Sequence, residues 1–126
     1  SPEQLEQGFW FYQLIPEAVG RVQQRTADLD VLGSLLQHSG FGEVGHETAT
    51  DIIMQGDTYF DADRVLDPQW RDGDSIWALA TPAERENALQ KVRTLVDQGE
   101  LQSFMRRHDE TRLHSGQLSF TWAVLA

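Results

Sequence analysis

Four consecutive aromatic residues, Phe9-Trp10-Phe11-Tyr12, lead into Gln13, Leu14 and Ile15 and form the most apolar stretch of the chain. A run of this kind has to be buried, so it fixes where the core must lie. It is too short for periodicity to separate a buried strand from a helical turn. The same residues read either as core or as the wall of a pocket. No apolar run approaches the ~20 residues needed to span a bilayer.

The remaining composition narrows the class. A length of 126 residues fits one domain, spanning 1–126. Hydrophobic residues make up 40% and charged residues 24%, which suits a packed core. Twenty acidic against ten basic residues leave a formal charge of −10. Nucleic acids and anionic membranes repel such a surface, so neither is expected as the main partner. The absence of Cys excludes a disulfide framework and thiolate chemistry, and fits a cytoplasmic protein. Ser1-Pro2 stands at the start without an initiator Met, the expected mark of a processed product or an excised piece.

Local signals divide the chain further. Ser1 to Gly8 is a polar block. Pro16 and Glu17 suit a helix start, and that helix is expected to reach about Gln24. Asp28 is a helix N-cap. Leu29, Leu32, Leu35 and Leu36 build one apolar face behind it, and Gly40 provides the left-handed stop. Glu43 to Thr50 reads as a strand with Val44 inward. Asp57 to Arg64 reads as a short helix. Asp72-Gly73 reads as a tight turn feeding a strand over Ile76-Trp77-Ala78-Leu79-Ala80. Thr81-Pro82-Ala83-Glu84 is a capping box with Pro at the first helical position. Ala88, Leu89, Val92, Leu95 and Val96 follow as a stripe, and Gly99 ends it. A further helix over about Glu100–Arg112 turns Leu101, Phe104 and Met105 inward, and Gly116 breaks it. Leu118 to Leu125 is the last strand. The expected fold is α/β, or α+β as an isolated piece, with helices packed on a small, mostly antiparallel sheet.

Several patterns invite chemistry. Gly40-x-Gly42-x-x-Gly45 has the letters of a dinucleotide fingerprint. That fingerprint needs a strand entering and a helix leaving, and here the expected order is the reverse. The acidic run Asp57, Asp61, Asp63, Asp67, Asp72 and Asp74 has no EF-hand register and reads as a solvated loop. His38, His46, His108 and His114 show no paired metal spacing, and His38 reads as a partner of a helix C-terminus. No metal site is expected, and no Ser sits in a nucleophile elbow. In Trp70-Arg71-Asp72-Gly73-Asp74-Ser75, Arg71 either pairs with Asp72 or Asp74 to fix the turn or, with Trp70, receives a substrate group.

The succession of Pro16-Glu17-Ala18, the Leu-rich helix ending Ser39-Gly40-Phe41-Gly42-Glu43-Val44, and the final Phe120-Thr121-Trp122-Ala123-Val124 resembles the C-terminal half of class I S-adenosylmethionine-dependent methyltransferases. The resemblance covers nearly the whole chain. It implies that the Gly40-Phe41 helix precedes the sixth strand of such a sheet and that the final strand is its antiparallel seventh. Residues 51–116, with the Trp70–Ser75 segment, resemble an insertion between those two strands in one bacterial subgroup. The family holds its cofactor in the N-terminal half, by a glycine-rich loop after strand one and an acidic residue after strand two. This chain has neither.

By resemblance, then, the complete enzyme uses S-adenosylmethionine and this chain alone takes no cofactor. The chain supplies acceptor-side pocket and lid, is inactive alone, and has a small-molecule methyl acceptor or the missing N-terminal half as partner. Phe9, Trp10, Phe11 and Tyr12 lie where similar proteins begin the acceptor side, facing the acceptor or the sulfonium. Together with Trp70 and Arg71 they are the candidate substrate-binding residues. No residue carries over as catalytic, which fits enzymes that work by positioning. The sheet edge left without its neighbour predicts a homodimer. The alternatives are a free-standing α+β module for a small apolar ligand or a protein, and a catalytically dead lobe kept for dimerisation or scaffolding.

Overall fold

The computed structural model describes all 126 residues. The chain is α+β. Its α-helices are α1 (Pro2–Gln7), α2 (Pro16–Gln23), α3 (Leu29–His38), α4 (Pro68–Gly73), α5 (Pro82–Asp97), α6 (Leu101–Asp109) and α7 (Arg112–Ser115). Two strands, β1 (Phe41–Ala49) and β2 (Leu118–Leu125), pair antiparallel from Phe41↔Leu125 to Ala49↔Leu118, with an irregularity between Phe41 and Glu43. Everything between the strands is helical or irregular. No helix is long and apolar enough to cross a membrane.

The aromatic run becomes a 3₁₀ turn over Trp10–Leu14 and sits at the centre of the core. The core draws on residues 9–19, 59–80 and 88–105. Trp10, Phe11, Ile15, Tyr59, Val65, Trp77 and Val92 are its largest fully enclosed side chains. A polar network runs through it. Tyr59 accepts from the Trp10 backbone N–H at 3.2 Å, and its carbonyl accepts from the Trp10 indole at 2.9 Å. The Tyr59 hydroxyl donates to Asp109 at 2.6 Å. Arg112 clamps the same carboxylate with two bonds, at 2.7 and 2.9 Å, and lies over the Tyr59 ring. The buried Arg112 charge is therefore paired and forked, as burial of a charge requires.

The α3, β1 and β2 elements contribute nothing to that core. They pack chiefly on one another. Gly33 is the buried position of α3, where a Cβ would lie 3.1 Å from His46 Nε2 and 3.6 Å from Val44. At 3.6 residues per turn, Leu29, Leu32 and Leu36 flank Gly33, whereas Leu35 points the other way. Leu35 is 58% exposed, which corrects the expected four-leucine face. Val44, His46 and Thr48 share the covered sheet face with Ala123, Thr121 and Ser119. His46 Nδ1 and Thr121 Oγ1 bond across the strands at 2.9 Å. The other face carries Phe120, Trp122 and Val124, exposed by 54%, 46% and 51%. The Trp122 indole covers Gly45, where any side chain would collide with it.

A polar knot joins this layer to the core. Gln4 donates to the Ser115 carbonyl and to Ser119 Oγ. The buried Gln117 donates to the Gly8 carbonyl and accepts from the Met54 N–H. A Cβ on Gly8 would sit 2.6 Å from the carbonyl oxygens of Gln4 and Gly116, so only glycine permits the crossing.

Three further expectations are corrected. Ile76–Ala80 is not a strand: a 3₁₀ turn occupies Trp77–Leu79, with Ile76 and Trp77 buried. No strand edge lies there to pair with, and the Asp74 carboxylate instead accepts from the Ile76 and Trp77 N–H groups. Asp72-Gly73 is not a hairpin turn but the end of α4. Asp57–Arg64, expected as one short helix, is parts of two successive 3₁₀ turns, Gly56–Phe60 and Ala62–Leu66. The glycine triplet does follow a helix and enter a strand, with Gly40 at φ 102° closing α3.

The Thr81 capping box is formed in both directions, at 3.2 and 3.3 Å. Glu84 also reaches Arg21 on α2. Thr81→Ala is expected to lower stability by about 1 kcal/mol in a urea titration; an unchanged midpoint would refute the role of the cap.

Candidate functional site

In a 3₁₀ turn, side chains three apart eclipse one another. Phe9 and Tyr12 therefore stand on one side of the aromatic run, ring centroids 4.9 Å apart, while Trp10 faces Phe104 inside the core. Phe11 stands edge-on to Tyr59, Tyr12 and Trp70. Trp70 is delivered by α4, whose N-cap Asp67 accepts from the Gln69 N–H. The Trp70 indole donates to Gln55 Oε1 at 3.2 Å.

Phe9, Tyr12 and Trp70 then wall a cleft of about 530 Å³, completed by Met54, Gln55 and Asp74, with Thr58, Gln69, Gly73 and Ser75 at its margins. Asp74 is held firmly. Its Oδ1 accepts from the Ile76 and Trp77 N–H groups at 3.0 and 3.1 Å, and the Tyr12 hydroxyl donates to both oxygens at 3.2 Å. Burial, reinforced by the Asp74 charge and hydrogen bond, pushes the Tyr12 phenol well above its ordinary range. No Lys, Arg or His lines the cleft.

Three of the six candidate residues thus meet: Phe9, Tyr12 and Trp70. Trp10 and Phe11 are core, behind the wall. Arg71 turns away and donates to the Val65 carbonyl at 2.7 Å, bracing α4 on the preceding turn, and it pairs with neither Asp72 nor Asp74. Asp74 and Gln55 went unread as site residues. Asp74 does carry a local signal, because an Asp two and three residues before free N–H groups is a turn cap. Gln55 carries none. No three His, Asp or Glu side chains gather into a cluster able to hold a metal ion. Of the acidic run, Asp61 pairs with Arg64 and Asp67 caps α4. His38 Nδ1 donates to the Ser34 carbonyl near the end of α3. Chemically, the cleft offers aromatic faces, neutral amides and hydroxyls, and one fixed carboxylate. It can hold and orient a ligand, but it contains no paired acid and base.

Both tyrosines of the chain are pushed up by burial first, Tyr12 further by Asp74 and Tyr59 by its bond to Asp109. The folded state keeps both protons, whereas the unfolded chain releases them near pH 10. Stability is therefore full below pH 10 and falls as the pH rises above it. Tyrosinate absorbance should stay absent at pH 10 while circular dichroism reports a folded chain. Half-ionised tyrosine in folded protein at that pH would contradict the burial of both hydroxyls.

No family model matches the chain, and neither a curated protein nor a solved structure is significantly similar to it.

Proposed function

We propose that the chain is the acceptor-side part of an S-adenosylmethionine-dependent methyltransferase, supplying pocket wall and lid to a cofactor held by residues outside this sequence. The observation that carries this reading is the arrangement of α3, β1 and β2. A helix closes at Gly40 into a strand, the final strand returns antiparallel beside it, and the long segment between them folds back onto the aromatic run to wall a cleft. The pair leaves both outer edges open and an apolar face uncovered, as a piece of a larger sheet would. The residues present do not make a cradle for the cofactor. The one glycine-rich segment leaves the carbonyl end of α3, which presents no free N–H groups to a carboxylate such as that of the cofactor's methionine moiety. Phe9, Tyr12 and Trp70 would then orient the acceptor, with rate coming from positioning.

A second reading draws on the same exposed Phe120, Trp122 and Val124: two copies of the chain covering one another as a dimerisation or binding module.

The test compares this chain with the product that includes whatever its gene encodes upstream. Calorimetric titration with S-adenosylhomocysteine should give no heat for residues 1–126. The longer product should bind one equivalent and gain ~2.7 kcal/mol of stability at a hundred times the dissociation constant. One-to-one binding by residues 1–126 alone would overturn the proposal. So would an upstream sequence with no glycine-rich strand-to-helix loop. In that case, light scattering at twice 14.3 kDa would favour the dimer instead.

A further inference from the structure

We infer that the cleft takes an organic cation, a protonated amine carried on an apolar group, with Asp74 Oδ2 accepting its N–H. The inference deepens the acceptor-side reading and rests on it for the biological role of the ligand.

Three observations converge. First, Phe9, Tyr12 and Trp70 line the cleft; aromatic side chains attract a cation, and their bulk suits an apolar body. Second, the two Asp74 oxygens are unequally used. Oδ1 already accepts from Ile76 N–H, Trp77 N–H and the Tyr12 hydroxyl, whereas Oδ2 has only the Tyr12 hydroxyl. A carboxylate offers about four lone-pair sites, so the open capacity is on Oδ2. The caps fix the carboxylate without neutralising it. Third, the lining contains no positive side chain. Arg71, the nearest in sequence, is committed to the Val65 carbonyl. An anionic ligand would meet a like charge and no positively charged partner, while an ammonium would complete a charge-assisted bond.

Gln55 sharpens the site. Its Oε1 accepts from the Trp70 indole, which fixes the ring that lines the cleft together with Phe9 and Tyr12. Trp70 is further held by Phe11 at 5.0 Å and Trp77 at 6.0 Å, so the wall is formed before any ligand arrives.

The experiment uses four probes of one shape: phenethylamine, its N,N,N-trimethyl derivative, 2-phenylethanol and 3-phenylpropionate. Binding is followed by the indole N–H resonance of Trp70, identified from Trp70→Phe, and by calorimetry. Phenethylamine is expected to bind at least tenfold more tightly than the alcohol and the carboxylate. The trimethyl derivative, a cation without an N–H, should fall between. Asp74→Asn keeps the Oδ1 acceptor for the backbone caps and should cost the amine about tenfold while leaving the alcohol unchanged. Equal binding of amine and carboxylate overturns the inference. Equal binding of amine and trimethyl derivative overturns the assignment of Asp74, because a sulfonium would then serve as well. The probe series on the unaltered protein decides even if Asp74→Asn fails to fold. All binding is read without cofactor. A failed amine therefore leaves the S-adenosylhomocysteine result standing, and a failed S-adenosylhomocysteine titration leaves the cation site standing.

Discussion

Tyr59 is the point through which the rest of the structure is held. Its hydroxyl and carbonyl both receive the Trp10 backbone and indole, which pins the aromatic run to the segment that follows β1. The same hydroxyl donates to Asp109, and Asp109 is clamped by Arg112. One buried ring thus ties the beginning, middle and end of the core together. Removing any member would leave a charge or a donor buried without a partner, a loss of several kcal/mol rather than of one hydrogen bond. The cleft inherits its rigidity from this arrangement. Phe11 packs on Tyr59 on one side and on Trp70 on the other, so the wall is an extension of the core.

The contrast lies in α3, β1 and β2. A two-stranded sheet is marginal without a covered face, and this one has a single helix on one side. Its contact with that helix is close only because Gly33 has no side chain, and its outer face is an open row of Phe120, Trp122 and Val124. The link to the core is polar and narrow, made by Gln4, Gly8, Gly116 and Gln117. A cleft built on the core, and a sheet with one apolar face exposed, are the two features on which the proposal rests.

Where a feature depends on a few neighbouring residues, it was legible. The capping box at Thr81, the stops at Gly40, Gly99 and Gly116, the inward Leu101, Phe104 and Met105, and both outer strands follow from side chains within one or two turns of each other. Ile76–Ala80 was misread because its apolar alternation suits a strand, but pairing depends on whether an edge lies nearby, and none does. The Ser1 capping box that starts α1 was overlooked because the block is polar. Its Gln4 is buried, and the amide donates to Ser115 and Ser119, more than a hundred residues away. The site divides in the same way. The aromatic run announced itself, and the i, i+3 geometry of a 3₁₀ turn then chose Phe9 and Tyr12 over Trp10 and Phe11. Arg71 was misjudged because a guanidinium beside two carboxylates suggests a pair, whereas it donates to a carbonyl six residues back.

The central claim is that the aromatic core is tightly packed and that the β1–β2 layer, covered on one face only, is the less stable part of the chain. Residue-resolved amide hydrogen exchange tests it most directly. Amides of α5 and α6 around Val92 and Phe104 should exchange only through global unfolding, and those of β1 and β2 far faster, through local opening. Uniform protection of both sets in the monomeric chain would mean one cooperative unit and would contradict the claim.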